Sequence, residues 1–252
     1  MKKPFAFLWA TVTILLLSLP AAAANLTVAT AADLRLAMTN LVQRYQTIRH
    51  VAITPIYGSS GKFYSQIVNG APFDAFFSAD ERYPRMLELR GLTVPGTRFR
   101  YGIGRLVLWT RADSGIDVRE GMKVLLDPNV HAIAIANPQH APYGEAALEA
   151  LKKAKIYGRT KDRLILGENI SQTAQYAASG NAQVGFIALA LTKTPGLRSG
   201  HDWSVPQSLY KELEQEAVIL KGSHHRKQLI DFFTFVRSPE GRAILASYGF
   251  TQ

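Results

Sequence analysis

The 252-residue chain contains no cysteine. That excludes a disulfide framework, thiolate metal ligands and a lipid-anchored cysteine behind an export signal. Long apolar runs are also scarce. A single stretch, residues 5–19, stands out, preceded by Lys2 and Lys3 and followed by Pro20 and four alanines, Ala21 to Ala24. It is shorter than the roughly 20 apolar residues that span a bilayer and it runs into small residues, so it reads as a secretory signal cleaved after Ala23 or Ala24. Residues 1–24 are assigned to that signal. The remainder, 252 less 24 or 228 residues, is expected to be a soluble, periplasmic monomer with nothing to anchor it.

Acidic residues are in deficit, 19 against 29 lysines and arginines, a net charge of +10 that becomes +8 once Lys2 and Lys3 are gone. The excess is spread along the chain. A diffuse positive field favours small anions and serves solubility equally well. Export, and the lack of a basic cluster with interleaved aromatics, argue against nucleic acid as a partner. With 47% hydrophobic residues the chain can build a real core.

The motifs of several enzyme classes are absent too. A nucleophile elbow needs glycine two residues after its serine, but Lys62 stands two after Ser60. A phosphate loop needs glycine five residues before Gly61-Lys62 and Ser or Thr behind it, where Ile56 and Phe63 stand. The six histidines offer only the adjacent pair His224-His225 and no metal-binding spacing on a helix. Neither an enzyme nor a resident metal or cofactor is expected. A secreted hydrolase using Ser60 remains the alternative from another class.

What is present is α/β grammar without internal repeats. Strands are expected at residues 26–29, 51–57, 75–78, 105–110, 132–136, 164–166, 183–188 and 217–220, alternating with stretches of helical period. Two closing helices follow, one carrying Leu229, Ile230, Phe232, Phe233 and Val236, the other starting at Pro239. The pattern predicts an α/β protein of two Rossmann-like lobes with a ligand cleft between them. Residues 25–104 and 212–252 form lobe 1 and residues 105–211 form lobe 2.

Four strand-to-helix turns carry the chemistry: Thr30 to Asp33, Gly58 to Lys62, Asn137 to Tyr143 and Asn169 to Ser171. A helix start leaves backbone N–H groups without intrahelical acceptors and carries partial positive charge. Several such starts aimed at one point would bind an anion without arginine or lysine. Ser60 adds a hydroxyl between Gly58 and Gly61, and Tyr143 adds a phenol. Each turn taken singly also fits an ordinary capped connection.

Together the phrases Gly58-Ser59-Ser60-Gly61, Phe63 to Asp74, Phe76 to Asp80, Gly104 to Trp109, Asn137 to Gly144 and Val184 to Ala188 resemble the molybdate-binding proteins of ABC uptake systems, within the type II periplasmic binding fold. The resemblance implies a receptor that holds a tetrahedral dianion, molybdate or tungstate, by hydrogen bonds alone and delivers it to an inner-membrane ABC permease. It implies Ser60 as a ligand through side chain and amide, Ile170 through its amide and Tyr143 through its hydroxyl, with Ala32 and Asp33 at the first turn. A receptor for another oxyanion, such as sulfate or phosphate, is the nearest alternative.

The first turn departs from the family pattern, which places Ser, or Thr followed by Asn, where this chain has Ala32 and Asp33. A carboxylate facing a dianion is repelled by about 4 kcal/mol per unit-charge pair at about 4 Å in a partly screened site. Three resolutions are open, in this order: Asp33 caps the following helix, Lys62 neutralises it, or the ligand brings a proton that Asp33 accepts.

Overall fold

The computed structural model describes residues 25–252; the assigned signal, residues 1–24, lies outside the described residues. The chain builds two five-stranded mixed sheets flanked by helices, giving two lobes. The first sheet has the order β2-β1-β3-β10-β4, with β1 at Asn25–Ala31, β2 at Ala52–Gly58, β3 at Ala75–Ser78, β4 at Phe99–Gly104 and β10 at Leu213–Ile219. β1 runs parallel to β2 and β3, whereas β10 is antiparallel to both β3 and β4. The second sheet has the order β7-β6-β8-β5-β9, from β5 at Leu106–Thr110, β6 at Ile133–Ala136, β7 at Leu164–Gly167, β8 at Val184–Ala188 and β9 at His201–Ser204. Only Arg105 separates β4 in one sheet from β5 in the other, and the chain returns between β9 and β10.

Side-chain alternation explains how the first sheet is covered on both faces. Leu26, Val28, Ala75, Phe77, Ala217 and Ile219 face α1 (Arg35–Arg49) and the closing helices α7 (Arg226–Arg237) and α8 (Pro239–Ser247). Ala29, Phe76 and Val218 face the opposite side, with Phe63 and Ile67 of α2 (Ser60–Val68) and Leu87 of α3 (Arg82–Leu89). In the second sheet every residue of β5 and β8 is buried, as expected of strands sandwiched between layers. Its flanking helices are α4 (Pro142–Lys153), the single turn α5 (Tyr157–Thr160) and α6 (Ile170–Ala178).

Three strands differ from the sequence expectation. β4 has the sequence FRYGIG, whose two glycines weaken any strand signal. Pairing with β10 and a bridge from Ile103 to Thr251 hold it in place. β9, HDWS, is a mostly exposed edge strand held by β5. β10 begins four residues earlier than its apolar run, because Leu213 to Glu216 pair with β4 and bury Gln215 despite their charged appearance.

The expected helix cap at Asp33 is also corrected. Ala32–Leu34 form a 3-10 turn ahead of α1, and no side chain caps either the turn or the helix. The carboxylate is drawn elsewhere by stronger partners, described below. Lys62 does not neutralise it either; it pairs with Glu168 across the cleft.

Candidate functional site

The carboxyl ends of β1, β2, β6 and β7 each lead into one of the four turns singled out in the sequence. The turns meet around one pocket lined by Ala31, Ala32, Asp33, Gly58, Ser59, Ser60, Ala79, Ala141, Pro142, Tyr143, Asn169 and Ile170. Ala32, Asp33, Ser60, Tyr143 and Ile170, the five residues proposed from sequence, are all among them. The pocket is small, a cavity of about 10 Å³, roughly the room that one water molecule needs. Its size suits a small ion rather than a sugar or peptide.

Ser60 opens α2 and is fully buried. Its Oγ accepts a 2.9 Å hydrogen bond from the Ala79 amide, which fixes the oxygen as acceptor and leaves the hydroxyl proton free to donate. At the start of α6, Asn169 Oδ1 accepts from the amides of Ser171 and Gln172. That cap leaves the Ile170 amide, the first of the helix, outside it, and Ile170 lines the pocket. The site therefore presents a hydroxyl and helix-start amides, a donor set for an anion.

Asp33 is 1% exposed, with Oδ2 accepting from Tyr143 Oη at 3.0 Å and from Gln215 Nε2 at 2.6 Å. Gln215 also donates to Tyr143 Oη at 3.2 Å, closing a triangle of buried polar groups. Asp33 Oδ1 is buried and has no hydrogen-bond partner. Burial pushes the Asp33 carboxyl up to about 6, against the pull of Gln215 and Tyr143 and of the nearby Asp33 and Leu34 amides. Tyr143 is raised well above the ordinary tyrosine range by burial and by the Asp33 charge, so it remains a proton donor. Its one proton goes to Asp33. The sequence offered Tyr143 as a direct ligand; the structure places its hydroxyl on the carboxylate.

Sequence reasoning missed Gln215, which lies 182 residues from Asp33 and in a run of charged neighbours. It also missed why Gly104 is glycine: a Cβ there would collide with Tyr143 Oη and Gln215 Nε2.

The lobes touch around the pocket. The Gly61 amide donates to the His140 carbonyl at 2.9 Å, and Ser59 Oγ lies 2.5 Å from that carbonyl and 2.8 Å from His140 Nδ1. If the Ser59 hydroxyl serves the carbonyl, Nδ1 carries the ring hydrogen and donates to Oγ. Burial holds the His140 pKa below its ordinary value, which favours the neutral ring. The histidine at this rim thus engages Ser59, while the partner of Ser60 Oγ is the Ala79 amide rather than a base. Ser171 Oγ donates to the Ala32 carbonyl at 3.1 Å, and Arg82 reaches Glu145 at 2.6 Å. Such half-exposed pairs contribute about 1 kcal/mol or less each.

Comparison with known proteins agrees with this geometry. Residues 26–251 match the family model of the bacterial extracellular solute-binding proteins. The chain is 37% identical to the molybdate-binding protein ModA of Rhodobacter capsulatus over 234 residues, covering 93% of this chain and 91% of that one. It is likewise 37% identical to ModA of Azotobacter vinelandii over 239 residues, covering 93% of each. The solved periplasmic molybdate-binding protein of Azotobacter vinelandii superimposes with a TM-score of 0.84 at 34% identity, over 90% of this chain and 99% of that one. The chain belongs to the bacterial extracellular solute-binding proteins, in the group that holds the ModA molybdate-binding proteins.

Proposed function

We propose that this protein is an extracytoplasmic receptor that captures molybdate or tungstate between its lobes and delivers it to an inner-membrane ABC permease. The observation that carries the reading is the meeting of four helix starts, two from each lobe, around one ion-sized pocket. Ser60 donates through its hydroxyl and amide, and Ile170 through its amide. The backbone of Ala32 and Asp33 closes the first turn, and Tyr143 acts at the same pocket by holding the Asp33 carboxyl. Residues 25–104 and 212–252 form one closing body and residues 105–211 the other, joined where the chain crosses at Arg105 and between β9 and β10. The protein works as a periplasmic monomer and carries out no chemistry on its ligand. Among the described residues no helix is long and apolar enough to cross a membrane, which suits this role.

A thermal-shift panel tests the ligand class. A fixed ring of donors selects by the size of the tetrahedron, so molybdate and tungstate are expected to raise the melting temperature while sulfate and phosphate shift it little. At a hundredfold excess over Kd the gain is about 2.7 kcal/mol. A shift with sulfate or phosphate and none with molybdate would assign the receptor to a different oxyanion.

A further inference from the structure

We propose that the receptor takes up one proton from solvent as it binds its dianion, and that this proton resides on Asp33 Oδ1, which donates to a ligand oxygen. The inference rests on the oxyanion reading above and adds to it how that site tolerates a carboxylate.

The geometry leaves few alternatives. Asp33 lines the pocket and is buried, with Oδ2 already receiving Tyr143 and Gln215 while Oδ1 has no partner. An ionised carboxylate is an acceptor only, and so is a fully ionised oxyanion; the two cannot bond to each other. A proton on Oδ1 removes the repulsion and supplies the missing donor in one step. Oδ2 keeps both of its own donors, so the side chain need not turn.

Among the described residues no cation is in place to do the same work. Lys62 of α2 is bound to Glu168, which precedes α6, and Arg35 of α1 lies over the Tyr57 ring. Lys193, at the end of the 3-10 turn Leu189–Lys193 that packs against Ala32–Leu34, is exposed. The titratable groups that face Asp33 are Tyr143 of α4 and Tyr101 of β4, both buried and held neutral. From α6 the Ser171 hydroxyl donates to the carbonyl of Ala32, the residue before Asp33. Burial already makes Asp33 easy to protonate, its carboxyl titrating near 6, and an incoming dianion raises that value further. The step balances simply: ionised Asp33, a solvent proton and the dianion become neutral Asp33 hydrogen-bonded to the dianion.

Titration calorimetry of the mature protein with sodium molybdate, between about pH 6 and 9 and in buffers of different ionisation enthalpy, is the test. The wild type is expected to take up close to one proton per ligand at the alkaline end, with Kd weakening by up to about tenfold per pH unit above the Asp33 titration. In Asp33→Asn an amide N–H replaces the acid O–H, so binding should persist without proton uptake or a slope in Kd. Proton uptake by the wild type is read without the variant, so the proposal stays testable if Asp33→Asn folds poorly. Wild-type molybdate binding with no proton uptake and a flat Kd would overturn the proposal and leave the receptor reading intact. Phosphate binding by the wild type that Asp33→Asn abolishes would overturn it too, since Asp33 would then accept a proton brought by the ligand. Failure of the wild type and of Asp33→Asn alike to bind molybdate or tungstate would remove the receptor reading and this proposal with it.

Discussion

Ser60→Ala is expected to weaken molybdate binding by about 1.5–3 kcal/mol, the range for a hydrogen bond to a charged partner. The loss corresponds to a rise in Kd of roughly ten- to 150-fold. The reason is specific to how the hydroxyl is held. Its oxygen is occupied by the Ala79 amide, so its proton has one direction left to serve. The unliganded fold depends on the same hydroxyl, because alanine leaves the Ala79 amide without its acceptor in a buried site. A buried donor stranded in this way costs about 1–3 kcal/mol of stability. Two measurements therefore separate the roles: chemical denaturation without ligand, and calorimetry under conditions where the variant is fully folded. Loss of stability with unchanged affinity would reduce Ser60 to a turn residue.

Gly61→Ala should act through closure. A Cβ at Gly61 would lie 2.6 Å from the His140 carbonyl oxygen, 2.9 Å from His140 Cα and 2.7 Å from Tyr83 Oη. The tyrosine hydroxyl is the far end of a side chain and can shift, but the His140 backbone belongs to the opposite lobe. Relieving that clash means parting the lobes and breaking the bond from the Gly61 amide to His140. Overpacking of this kind costs about 1–3 kcal/mol, charged here to the closed arrangement alone. Affinity should fall by roughly five- to 150-fold while the melting temperature of the unliganded protein barely moves. Small-angle scattering at saturating molybdate should give a larger radius of gyration than for the wild type. A normal Kd and wild-type compactness would show that the contact between Gly61 and His140 is not part of closure.

These two residues sit where the sequence is easiest to read. Gly58 and Gly61 around two serines, Pro142 before a helical run, and Asn169 before another are local punctuation, and local punctuation survives in one dimension. The four turns and their shared chemistry of helix starts are therefore legible in the sequence. Which atoms pair across those turns is not. Gln215 looks like one more polar residue between two glutamates, and only the β10–β4 pairing carries it under Asp33. The same tertiary placement redirected Asp33, which a helix-start rule sends to cap α1 but which burial and two side-chain donors hold at the lobe junction. Tyr143 was legible as a phenol at a helix start, whereas the destination of its proton depended on a residue 110 positions away. β4 and β9 escaped for a related reason: glycines in one and polar edge residues in the other erase the periodic signal, and neighbouring strands supply the order instead.

The central claim is that an oxyanion sits where the four helix starts meet. A crystal structure of the mature protein grown with molybdate, with data collected at the molybdenum absorption edge, tests it most directly. The account predicts a single strong anomalous peak between Ser60, Ile170 and Asp33, with ligand oxygens in hydrogen-bonding range of the Ser60 hydroxyl and the Ile170 amide. A peak elsewhere on the molecule, or none at saturating molybdate, would contradict it.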